Sequence, residues 1–114
     1  MLHKIFIKDA QEIRFRIGQS LCQEKHLPGE ILLIKNGTAR LLTNHKGNLT
    51  TISKLRPGDF VGIASHLTGN SCEEVRAAEE LVAWRISDEQ FFKLYEKEEL
   101  IRSFCNSYLW ESEI

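Results

Sequence analysis

Side chains able to bind or react are concentrated between Gly58 and Arg76, where a turn, a glycine bend and two polar runs follow one another. The first chemistry to consider is nucleophilic. Ser65, Ser71 and Cys72 could attack and His66 could act as a base, but adjacent side chains on a helix or strand diverge. No nucleophile-elbow pattern surrounds either serine, and no acid is placed to orient the histidine. Glu73 and Glu74 beside Cys72 oppose formation of a thiolate, so this cysteine reads as a small packing residue. Metal chemistry fares no better: His3, His26, His45 and His66 are scattered, with no His-x-His pair to seed a site. Binding is what remains. Amide groups around Ile63, Ala64 and Ser65, at the start of a short helical turn, can attract an anion. If the chain binds a small molecule, the pocket is expected in this stretch, with no catalytic and no metal-ligating residue expected.

The bulk of the chain agrees with a binding module. Its 114 residues suit one domain with one core, and 42% hydrophobic and 27% charged residues are ordinary for a folded chain. With a net charge of −1 and no basic block, neither nucleic acid nor an anionic membrane is an expected partner. No apolar run approaches the length of a membrane span, and the first residues lack the pattern of a secretory signal. Three cysteines, Cys22, Cys72 and Cys105, are odd in number and far apart, which suits reduced thiols. The expected location is cytoplasmic, as a free protein or as the cytoplasmic part of an inner-membrane protein.

The elements that must position the candidate residues are short. Leu2 to Ala10 fits a strand or a helical turn. Ile13 to Ile17 alternates apolar and cationic residues, the period of a half-buried strand, and Ser20 to Cys22 follows as another. Asn36-Gly37, between Ile31–Lys35 and Thr38–Thr43, predicts a type I′ hairpin. A second hairpin is expected around Asn44 to Gly47. Val75 to Ala77 and Leu81 to Ile86 read as further strands. Ser87 and Gln90 form a capping box for a C-terminal helix, and the charged run Glu96 to Glu99 divides that helix in two. Many short strands with glycine turns, then helices, predict a mainly β antiparallel barrel or jelly roll.

The spacing of Gly18, Gly37, Pro57-Gly58-Asp59, Phe60-x-Gly62 and Val75-x-Ala77, followed by Leu81 to Ser87, resembles the cyclic-nucleotide-binding domain from about Ile13 to Cys105. The resemblance implies a jelly roll with helices at its ends, and makes Arg56 to Ala77 the phosphate-binding cassette. The ligand-binding residues that this implies are Gly62, Ile63, Ala64, Ser65, Ser71, Cys72, Glu73 and Glu74, of which Gly62 matches the family's glycine. Ile63 stands where the family places Glu, the acceptor for the ribose hydroxyl. Ser71 stands at the phosphate-binding Arg, and Glu74 at the base-contacting Thr. Loss of the guanidinium removes a charge-assisted contact to the phosphate, and Glu73 with Glu74 adds like charge beside an anionic ligand. The Gly-hydrophobic cassette and the Cys-Glu pair resemble the domains joined to bacterial, especially cyanobacterial, secretion ABC transporters.

The expected function is a regulatory ligand- or partner-binding module with a degenerate cassette, covalently attached to an effector and needing no cofactor. One alternative is a structural protein-interaction domain without a ligand; another is a genuine sensor of cyclic AMP or cyclic GMP. The apolar face of the last helix suits either a homodimer or docking on its own barrel.

Overall fold

The structure is a computed structural model that describes residues 2–23, 29–63 and 74–113. The ambiguous N-terminal segment is a helix, α1 (Leu2–Ile7), with Phe6 buried beneath it. Eight strands follow: β1 (Gln11–Phe15), β2 (Ser20–Cys22), β3 (Glu30–Asn36), β4 (Ala39–His45), β5 (Asn48–Leu55), β6 (Phe60–Val61), β7 (Glu74–Ala77) and β8 (Leu81–Ser87). Two helices close the chain, α2 (Asp88–Lys97) and α3 (Glu99–Glu113). The strands form two four-stranded antiparallel sheets, in the orders β1-β8-β3-β6 and β2-β7-β4-β5. This is the mainly β jelly roll with C-terminal helices that the turn spacing predicts.

The first sheet is covered on both faces. Ile31, Leu32, Leu33 and Ile34 are each no more than 3% exposed, because alternate side chains enter different cores. Leu32 and Ile34 point between the sheets, where Phe15, Leu21, Val75, Ala77, Leu81 and Ala83 meet them. Ile31 and Leu33 point the other way, into a second core closed by Phe6, Phe91, Ile101 and Cys105 from the helices. A continuous apolar run is the expected signature of such a strand.

Three sequence expectations need correction. Asn36-Gly37 does not close a hairpin: β3 pairs with β6 and β8, whereas β4 pairs with β5 and β7. The turn instead carries the chain from one sheet to the other. It packs against another crossover, 78–80, through Ala78 N–H donating to the Thr38 carbonyl at 2.9 Å and Thr38 Oγ1 donating to Glu79 at 3.2 Å. The first strand ends at Phe15, and Ile17, expected within it, is 70% exposed in the following turn. Finally, Cys22 is disulfide-bonded, not a reduced thiol. The hairpin that does form is β4–β5, on a two-residue turn with Lys46 at φ 53° and Gly47 at φ 85°.

The helical end follows local chemistry closely. Ser87 accepts from the Gln90 amide at 3.1 Å, and the Gln90 side chain accepts from the Ser87 amide at 3.0 Å, completing the capping box. The chain leaves helical geometry at Glu98. Arg102 then donates to the carbonyls of Tyr95 and Glu96, satisfying acceptors left open at the end of α2.

Cys105 is a free thiol inside the helical core. Burial pushes its pKa from 9.0 up to about 11, because the apolar surroundings disfavour the thiolate. The folded chain therefore holds this proton more tightly than the unfolded chain. The resulting stability is complete below pH 9 and is lost as pH rises from 9 through 11. Urea titrations of the parent and Cys105→Ala at both ends of that window should show the parent alone losing about 2–3 kcal/mol through this group. Equal pH slopes for the two proteins would refute the assignment.

Candidate functional site

The cassette begins at a rigid corner. Asp59 Oδ2 accepts from the Arg56 amide at 2.8 Å, the Gly58 amide donates to the Ile34 carbonyl at 2.8 Å, and the Ile34 amide donates to the Asp59 carbonyl at 3.0 Å. The corner feeds β6, whose two residues pair with β3 as Leu33↔Phe60 and Leu32↔Val61. Gly62 follows at φ 100°, a left-handed conformation that favours glycine.

Aromatic contacts tie this entrance to the helices. The Phe60 ring meets Phe6 edge-on at 5.1 Å and Phe104 of α3 at 5.3 Å, and His3 of α1 stacks on it at 5.8 Å. Sequence periodicity places Phe104 on a helix face but cannot show that this face meets the start of the cassette.

The three predicted site residues that the structure describes, Gly62, Ile63 and Glu74, fall in different places. Gly62 is half-buried at the end of β6. Ile63 is 2% exposed, and its side chain belongs to the core beneath the helices, with Phe60, Phe91 and Ile101. Ala64, Ser65, Ser71, Cys72 and Glu73 lie outside the described residues, as does His66. Glu74 opens β7, so the two described ends of the segment belong to different sheets.

Glu74 is the one charged residue found buried among the described residues. Its carboxylate accepts from Ser20 Oγ at 2.9 Å and from Arg76 Nε at 3.0 Å. Arg76 turns away from the apolar side of β7, with 46% of its side chain exposed. Glu74 and Arg76 are two apart on a strand and so share one face, while Ser20 reaches them because β2 pairs with β7. The charge pair could have been read from its spacing; Ser20 could not. The cation adjoining the cassette is thus held by a carboxylate of the chain itself.

Elsewhere, a surface hollow of about 320 Å³ contains Arg85, but Glu30 at 3.5 Å and Gln11 at 2.9 Å hold that guanidinium. Among the described residues no cluster of three or more His, Cys, Asp or Glu could hold a metal. No helix among them is long and apolar enough to cross a membrane.

Comparison with known proteins agrees with this architecture. The pattern of the family described as "Cyclic nucleotide-binding domain" matches residues 12–98. The chain belongs to the cyclic nucleotide-binding domain family, whose members are regulatory rather than catalytic. Among solved structures, the catabolite activator protein of Thermus thermophilus is similar at TM-score 0.82 and 19% identity, over 97% of this chain and 53% of that one. A transcriptional regulator of Thermotoga maritima aligns at TM-score 0.85 and 19% identity, over 98% of this chain and 88% of its own. The c-di-GMP-responsive global regulator of Xanthomonas campestris aligns at TM-score 0.78 and 12% identity, over 97% and 55%. This chain therefore spans about half the length of the first and third of these proteins. At such identities the likeness establishes the fold. No curated protein matches the chain in sequence.

Proposed function

We propose that the chain is a regulatory module of the cyclic-nucleotide-binding fold that does not bind cyclic AMP or cyclic GMP in the family's usual manner. The observation that carries this reading is the burial of Ile63 in the helical core. The position that would offer a ribose acceptor instead packs the helices onto the sheet. The pairing of Arg76 with Glu74 supports it, since the neighbouring cation has an acceptor of its own. Ser71 in place of the family's Arg points the same way.

In this reading residues 1–114 form one domain, and its output is the packing of α2 and α3. Phe60 touches Phe104 only two residues before Gly62, so a ligand or partner at the cassette would bias that contact directly. The attached effector, and with it a cytoplasmic location, is proposed from the cassette's likeness to domains of secretion ABC transporters. The reading frame around the chain decides that point.

The binding claim is tested by thermal denaturation with each nucleotide at about 1 mM. A site of micromolar affinity would add about 4 kcal/mol at that excess, moving the midpoint by more than about 10 °C for a domain of this size. The expected result is an unmoved midpoint with both nucleotides. A saturable rise with either would replace this reading by that of a genuine sensor.

A further inference from the structure

We infer that the outer face and free edge of the β4–β5 hairpin form a docking site for an acidic, extended polypeptide segment. The inference stands apart from the cassette and does not depend on it.

Charge is the first ground. From Ile31 to Gly58 the chain carries Lys35, Arg40, Lys46, Lys54 and Arg56 and no Asp or Glu, although its net charge is −1. The sheet register then sets cations side by side: Arg40 lies opposite Lys54 on β5 and opposite Arg76 on β7. Like charges directly across strands are destabilising. Arg76 is relieved by Glu74 and Lys35 by Glu12. The side-chain cations of Arg40, Lys46, Lys54 and Arg56 form no ion pair with a carboxylate among the described residues. A row of cations left uncompensated in a chain rich in acids is a surface that favours an anionic partner.

The edge is the second, independent ground. Of the four edge strands, β6 has two residues and β2 three, too short to template a partner. The five-residue β1 carries Glu12 and Arg14. β5 has eight residues, with Lys54 its single charge and no proline. Seven of the eight, Asn48 to Lys54, are exposed, including Leu49 at 41% and Ile52 at 52%. Such an edge offers unpaired backbone donors and acceptors to an added strand. Pairing continues on both sides of the register bulge between Leu41 and Leu42, and across it Leu49 and Thr51 share the face that carries Arg40 and Lys54.

The occupant follows from combining the two. Main-chain hydrogen bonding along β5 and an apolar contact at Leu49 suit a polypeptide, and the flanking lysines select acidic side chains. Nucleic acid would want aromatic platforms, and 39–55 contains no Phe, Tyr or Trp. A second copy of the chain would present the same row of cations to this one, so an acidic partner suits the edge better.

The test uses a fluorescent octapeptide alternating Glu with Val, its Gln counterpart, a single-stranded oligonucleotide and phosphatidylserine vesicles. The Glu peptide should bind saturably and weaken with salt, while the Gln peptide binds at least about tenfold more weakly. The double variant R40Q/K54Q should abolish the preference for Glu over Gln, and Thr51→Pro should weaken both peptides. R40Q/K54Q should keep or raise the melting temperature, since it removes the cross-strand repulsion without creating another, which separates lost binding from lost folding. No binding of the Glu peptide, binding unaffected by R40Q/K54Q, or tighter binding of the oligonucleotide or vesicles would each overturn the inference.

Discussion

Gly37→Ala should destabilise the fold by about 3–4 kcal/mol, whereas Gly47→Ala should cost only about 1 kcal/mol. Both glycines adopt nearly the same left-handed backbone, at φ 86° and 85°, so intrinsic strain cannot separate them. Their surroundings do. A Cβ at Gly47 would meet no atom within 4 Å, because that turn projects from the end of the β4–β5 hairpin. A Cβ at Gly37 would run into the Glu80 carbonyl and lie 2.9 Å from the Leu81 Cα. Those neighbours are backbone of the 78–80 crossover and the start of β8, fixed by Ala78 donating to the Thr38 carbonyl, and backbone cannot yield as a side-chain tip can. These two crossovers must therefore separate, and Leu81 and Ala83, which are 1% and 0% exposed, would lose packing with them. Urea denaturation of both variants checks the comparison. Equal losses would show that the crossovers do not bear on each other.

The same corner shows what the sequence can and cannot convey. Asn-Gly chemistry correctly marks a sharp turn at Asn36-Gly37, but turn residues do not name the partner of the strand they release. In a jelly roll that strand enters the other sheet. Features set by neighbours along the chain were legible: the Ser87–Gln90 box, the break at Glu98, the β4–β5 hairpin and the turn at Pro57-Gly58. Features set by register were not. Ser20 reaches Glu74 across 54 positions, and Arg40 meets Lys54 and Arg76 only once three strands are aligned. For the candidate site, the family pattern gave each position a role without giving its direction. Ile63 could be assigned to the acceptor position from its spacing after Gly62, yet only packing shows its side chain among Phe60, Phe91 and Ile101. The disulfide at Cys22 was hidden for the same reason, since widely spaced cysteines in an odd number carry no pairing signal.

That packing makes Ile63→Glu, the change that restores the family's acceptor, a damaging substitution, with an expected loss of about 3–5 kcal/mol at neutral pH. The carboxylate would replace a side chain 2% exposed, in a core whose polar members are few. Either the acid stays there, uncompensated, or the segment leaving β6 turns outward and opens a cavity against Phe91 and Ile101. Ile63→Val, which keeps the shape and removes one methylene, should cost only about 1 kcal/mol. The pH dependence distinguishes a buried acid from a merely misshapen core. Burial raises the carboxyl pKa in the folded state above its unfolded value, so the variant's deficit should shrink as pH falls toward about 4 and grow as pH rises to neutrality. Ile63→Gln, nearly the same size but without a proton to gain, should show a deficit independent of pH. If Ile63→Glu proved as stable as the parent and shifted its melting point with cyclic AMP, the position would be free to face a ligand. The burial of Ile63 would then be a consequence of the side chain present, not a constraint of the fold. With the expected loss, the acceptor cannot be regained by one substitution. The helical core would have to repack around Phe60 and Phe91 first, and that requirement is what the proposed loss of the family's usual ligand rests on.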